Sequence, residues 1–171
     1  SISPAIVVKA LDAFDNVATG FTSKGVTLSI SSGPGTILFG AAATATLGVA
    51  TFSNVSIDLV GAHTLDAVNT VLGDCPTCTA GTSASFTITH AAATKLGFTQ
   101  QPTTTAAGGT INPDVLVAAQ DQFGNTDLSV NTGTATLSIS VNPGGSVLSG
   151  TSSQPFSSGV ATFNDLSLNN I

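Results

Sequence analysis

Two cysteines, three lysines and nine acidic residues hold most of the reactive chemistry of this chain. Cys75-Pro-Thr-Cys78 is the most conspicuous group. A redox pair of this spacing needs a helix N-terminus and a βαβ setting to lower its thiol pKa, and neither is visible around it. A zinc site needs two further ligands, and His63 and His90 stand at no recognised spacing. The third reading is a disulfide closing a hairpin tip. It would contribute only about 2 kcal/mol, because the loop it closes is so short.

Asp12, Asp15 and Asn16 form one acidic loop, and Asp121, Asn125 and Asp127 form another at an equivalent place. Their oxygens are of the type that binds Ca²⁺. Asp and Asn also bond the local backbone and permit a turn, with Asn16 or Gly124 at positive φ. Turn formation is the expected role and calcium the alternative; no other cofactor is implied. Lys9, Lys24 and Lys95 raise the idea of Lys–Asn isopeptide bonds, which need a buried lysine; Lys9 is expected to face outward. Asn54-Val-Ser56 is a glycosylation sequon, and Thr103-Thr-Thr105 offers hydroxyls for O-glycans. No nucleophile, base and acid come together in the pattern, so a non-catalytic role is expected.

These groups sit on a chain that repeats itself. Pro4–Asn16 ends in Asp-x-Phe-x-Asn, and so does Pro113–Asn125, at an offset of 109. Val26–Ser31 alternates apolar and hydroxylated residues, as does Ala135–Ser140. Gly48-Val-Ala-Thr-Phe52 returns as Gly159-Val-Ala-Thr-Phe163, now at an offset of 111. An insertion of this kind belongs in a surface loop. Gly61–Ala67 and Ser83–Thr89 continue the alternation in the first copy, with His63, Leu65, Ala67, Phe86 and Ile88 inward. Leu96–Pro102 opens the second copy. Period-2 alternation, abundant Thr, Val and Ile, and frequent Gly and Pro define an all-β chain. In the first strand Ile6, Val8 and Ala10 are the core candidates. Val7, Leu11 and Leu116 face outward and are the candidate interface.

The net charge is −6, with no Arg and only three Lys. Nothing here neutralises phosphates, so nucleic acid is excluded as a partner. No run of about twenty apolar residues offers a membrane span. A chain poor in Lys and Arg also gives trypsin-like proteases few sites, which fits an extracellular or cell-surface setting.

In this order, Asp-x-Phe-x-Asn, Val-Thr-Leu-Ser-Ile, Gly-Val-Ala-Thr-Phe-x-x-Val-Ser-Ile and Gly-x-His-Thr-Leu-x-Ala resemble the bacterial immunoglobulin-like repeats of invasin- and intimin-type surface proteins. Leu96-Gly-Phe-Thr-Gln-Gln-Pro102 is similar to the opening strand in related adhesins. The resemblance covers nearly the whole chain. It implies tandem Greek-key β-sandwich modules, seven strands in each complete one, and a role in adhesion or surface architecture. Residues 1–90 then form a first module without its own opening strand. Residues 91–171 form a second that ends before its last two strands, as in a section of a longer array. Neighbouring modules, copies of itself or a host surface ligand are the implied partners. The alternative is a spacer or accessory binding module of a secreted polysaccharide-active enzyme, though such platforms usually expose Trp or Tyr and this chain has neither. Tyr is common in these repeats where His63 stands, its hydroxyl anchoring a corner. His63 is expected to replace that bond only in part.

Overall fold

A computed structural model describes residues 1–70 and 78–169. Every regular element among them is a β-strand, and every named strand pairing is antiparallel. The chain divides into two compact units, Ser1–Thr89 and His90–Ile171.

The first unit contains β1 (Ile6–Lys9), β2 (Lys24–Ser32), β3 (Ile37–Phe39), β4 (Ala42–Ala45), β5 (Val49–Phe52), β6 (Ser56–Ile57), β7 (Gly61–Asn69), β8 (Gly81–Thr82) and β9 (Phe86–Ile88). The order β4-β2-β7-β8 makes the main sheet, with β9 also on β7; β1 pairs β5, and β3 pairs β6. Alternation places Val26 and Leu28 of β2 inward, against Ala50, Phe52, Val55, Ile57 and Leu65, with Ile6 and Val8 packed at the margin. His63 is wholly buried. Its Nδ1 lies 2.9 Å from the Gly61 carbonyl and its Nε2 2.8 Å from that of Pro34. Its ring stacks on Phe86 with centroids 5.9 Å apart. His63 therefore lies within hydrogen-bond distance of two backbone carbonyls.

The second unit contains β10 (Lys95–Gln100), β11 (Val115–Gln120), β12 (Thr134–Thr136), β13 (Leu148–Ser149), β14 (Ser153–Pro155), β15 (Val160–Phe163) and β16 (Ser167–Leu168). The order β10-β11-β15 is its widest sheet, beside the pairs β12-β14 and β13-β16. Its core is Val115, Val117, Ala135, Ala161, Phe163 and Leu166. These stand where the first unit has Ile6, Val8, Val26, Ala50, Phe52 and Val55. The register repeats as well: Ile6↔Phe52 and Val8↔Ala50 in one unit match Val115↔Phe163 and Val117↔Ala161 in the other.

Two elements depart from the sequence pattern. The alternation over Ala135–Ser140 leads one to expect a strand as long as its copy in β2, yet β12 stops at Thr136. In β2 the stretch Leu28–Ser32 is held by β7. No strand occupies that place in the second unit among the described residues, and an unpaired ladder leaves its backbone groups to solvent. β4 and β14 were not expected at all. They pair with β2 and β12 and lead into β5 and β15 through two-residue turns at Leu47-Gly48 and Ser158-Gly159, where both central residues have positive φ. Reciprocal bonds between Thr46 and Val49, and between Ser157 and Val160, close them. That is a primed turn, whose twist suits flanking strands.

Candidate functional site

The acidic loops are densely hydrogen-bonded. In the second unit, Asp121 follows β11 and closes a turn. Its Oδ1 accepts the amides of Phe123 and Asn125, each at 2.9 Å. Gly124 supplies the positive φ of 94° that the turn requires. Asp121 Oδ2 accepts the Asn125 side-chain amide at 2.9 Å and the Ala91 backbone amide at 3.2 Å. Asp127 accepts the Ala93 amide at 2.8 Å, and the amide and hydroxyl of Ser129. His90 Nδ1 stands 3.2 Å from Asp127 Oδ1. Asp121, Asn125 and Asp127 are all buried. Two carboxylates thus grip alternate amides of one extended segment. Thr94 adds a bond to the Gln120 carbonyl at 2.8 Å, and the segment runs on into β10.

This arrangement sets the acidity of the carboxyls. Burial works to raise Asp121, but the Asn125 side chain and the amides of Ala91, Asn125 and Phe123 together hold it below the usual carboxylate range. Asp127 is lowered, first by the Ser129 hydroxyl and then by the Ala93 amide.

The first unit has the same turn without the segment. Asp12 Oδ1 accepts the amides of Phe14 and Asn16, each at 2.9 Å. These two amides, that of Asn16 foremost, lower the Asp12 pKa. Asp15 takes the positive φ, 62°, that Gly124 takes in the copy. Asp12, Asp15 and Asn16 are all exposed. Asp127 has no acidic counterpart, because Ala18 stands in its place.

The carboxylate oxygens of Asp12, Asp121 and Asp127 face N–H and O–H donors, which compete with a cation for the same lone pairs. Among the described residues no three His, Cys, Asp or Glu side chains gather closely enough to hold a metal ion. The geometry is that of backbone-bonded turns. A chelator such as EDTA should therefore leave the melting temperature unchanged within error, as thermal melts with and without added Ca²⁺ can check.

The other candidates lie apart from these loops. Val7 and Leu11 are about half exposed, at 52% and 50%, whereas Leu116 is less so because β10 lies beside it. Ala118, expected on the wetted face with Leu116, has no exposed surface. It is small and stands between Gly97 and Val160 of the two flanking strands. Asn54 is exposed, while Ser56 of its sequon has a buried hydroxyl with no hydrogen-bond partner. Lys95 Nζ donates to the Gln122 carbonyl at 3.1 Å. Thr103 donates its hydroxyl to the Asn112 carbonyl at 2.7 Å. Cys75 lies outside the described residues, so the expected Cys75–Cys78 pairing has no geometry here.

Phe14 was not singled out from the sequence, yet it is 84% exposed at the tip of its turn, and Phe123 is 41% exposed at the equivalent place. The available signal was the recurrence of an aromatic residue inside a polar turn. Comparison with known proteins finds no matching family, no matching curated protein and no matching solved structure.

Proposed function

We propose that the chain consists of tandem immunoglobulin-like Greek-key sandwich modules, and that it is a non-catalytic, structural or adhesive part of an extracellular surface protein or filament. The observation that carries this reading is the repeated frame. Equivalent residues pair in equivalent register in both units, and the same Asp–Asn turn ends the equivalent strand. A second observation is the grip of Asp121 and Asp127 on residues 91 and 93. It ties residues 91 and 93 to the body of their own unit, which gives that module a fixed opening segment. The partners on this reading are neighbouring modules or further copies, with no cofactor.

Fold does not dictate role, so assembly is the property to test. Electron microscopy of the native material is expected to show thin rods, regular filaments or a lattice. Isolated globular particles would overturn the reading.

A further inference from the structure

Asn54 lies in the bend between β5 and β6 and is exposed. Among the described residues its side chain makes no hydrogen bond. Its counterpart in the second unit is Asp165, at the offset of 111. That carboxylate is fully employed. Its Oδ1 accepts the Thr151 amide at 2.9 Å, and its Oδ2 accepts the Thr151 hydroxyl at 2.7 Å. A side chain therefore holds this bend in the second unit, and in the first the same position is left to solvent.

Two neighbours set the place further apart. Phe39 of β3 pairs with Ser56, two residues after Asn54; in the second unit Ser149 stands in its place, opposite Ser167. Phe39 is 67% exposed. A Cβ on the next residue, Gly40, would stand 2.5 Å from Asn54 Oδ1, so the asparagine lies against the end of β3. An exposed aromatic ring and an unengaged side-chain amide thus occur together in the first unit, and both are replaced in the second. The Ser56 hydroxyl is buried without a partner. Such a hydroxyl does nothing for the stability of the fold. A serine recurs at 167, so the hydroxyl alone marks nothing; behind Asn54 it completes an Asn-x-Ser acceptor sequence, and behind Asp165 it does not.

We propose that Asn54 is a glycan-acceptor site and that its first sugar packs on Phe39. The side-chain nitrogen Nδ2 bonds to the anomeric carbon of a lipid-phosphate-linked oligosaccharide. The bond from that carbon to the phosphate oxygen breaks, the lipid phosphate leaves with the electron pair, and the amide proton passes to a base of the transferase. The transferase reads the Ser56 hydroxyl. That group is covered once β6 pairs with β3, so transfer precedes this pairing. The C–H face of the sugar then lies on the Phe39 ring, an apolar surface with a negative face. Asp165 has no amide nitrogen, so the second unit stays bare at the equivalent bend.

The inference rests on the reading of the chain as part of an extracellular protein, because such transfer acts on exported chains. Native protein is recovered separately from the cell surface or medium and from the cell interior, and its intact mass and the peptide containing Asn54 are measured. The surface material is expected to exceed the sequence mass by one or more sugar residues, with the addition mapped to Asn54. Ser56→Ala, made in the same cells, should lose the addition and stay folded, since its hydroxyl has no bond to lose. Phe39→Ser should keep the addition, and should lower the melting temperature more in the glycosylated chain than in an Asn54→Gln background. A bare Asn54, an addition confined to other residues, or an addition that survives Ser56→Ala overturns the proposal. Equal melting shifts in the two backgrounds overturn the packing on Phe39. Surface protein with a bare Asn54 removes the site and leaves the extracellular reading standing, whereas protein confined to the cell interior removes that reading itself.

Discussion

Replacing Asp121 with Ala is expected to destabilise the His90–Ile171 unit by about 2–3 kcal/mol, since a buried donor left without its acceptor, as at Asn125, costs roughly 1–3 kcal/mol and the part-buried amides of Ala91 and Phe123 add less. Three backbone amides, those of Ala91, Phe123 and Asn125, would lose their partner at once. In a unit of this size such a loss lowers the melting midpoint by on the order of 10 °C or more. Asp12→Ala removes the same turn bonds at an exposed loop and should change stability little. The contrast matters more than either value, because one residue holds an entering segment and its copy does not. Differential scanning calorimetry of both variants, with exchange rates at Ala91 and Ala93, measures it. Equal effects from the two substitutions would contradict the assigned role.

The same carboxylate gives an acid dependence whose sign can be worked out. The folded pKa of Asp121 lies below its ordinary value of 3.8. Its contribution is therefore complete above about pH 4 and is lost as pH falls through the folded value. The Asp121→Ala variant should lack that part of the acid limb.

His63→Ala is expected to destabilise the Ser1–Thr89 unit by roughly 3–5 kcal/mol, the range for truncating a large buried ring. The substitution opens a cavity beside Phe86 and deprives the Gly61 and Pro34 carbonyls of their ring partner. His63→Phe restores most of the volume without a donor. It should recover part of the loss, and chemical denaturation of the two variants separates packing from hydrogen bonding. Gly33 belongs to the same arrangement. Its φ is 108°, and a Cβ there would stand 2.6 Å from the His63 ring. The Gly33-Pro34-Gly35 turn is thus shaped to the ring it encloses.

The strands that alternate strongly were legible in the sequence. Val26, Leu28, Phe52 and Leu65 announce their inward face by spacing alone, and Phe163 repeats the announcement. The turn after β1 was legible for the same reason, since Asp, Asn and Gly at fixed offsets have few other uses. β4 and β14 were not. Ala-Ala-Thr-Ala and Ser-Gln-Pro carry little contrast between faces, and their strand character comes from pairing with β2 and β12. The length of β12 was hidden too, because a strand ends where its partner ends. The different burial of Asp12 and Asp121 could not be read from their nearly identical local sequences. It depends on the segment 90–94, which lies about thirty residues before Asp121 in the chain.

We propose that repeated sandwich modules, each with a core of its own, build this chain. Native-state hydrogen exchange of the whole chain carrying Asp121→Ala tests it most directly. Protection is expected to fall across β10–β16 and to stay unchanged across β1–β9, as for two units with separate cores. Loss of protection in both units together would contradict it.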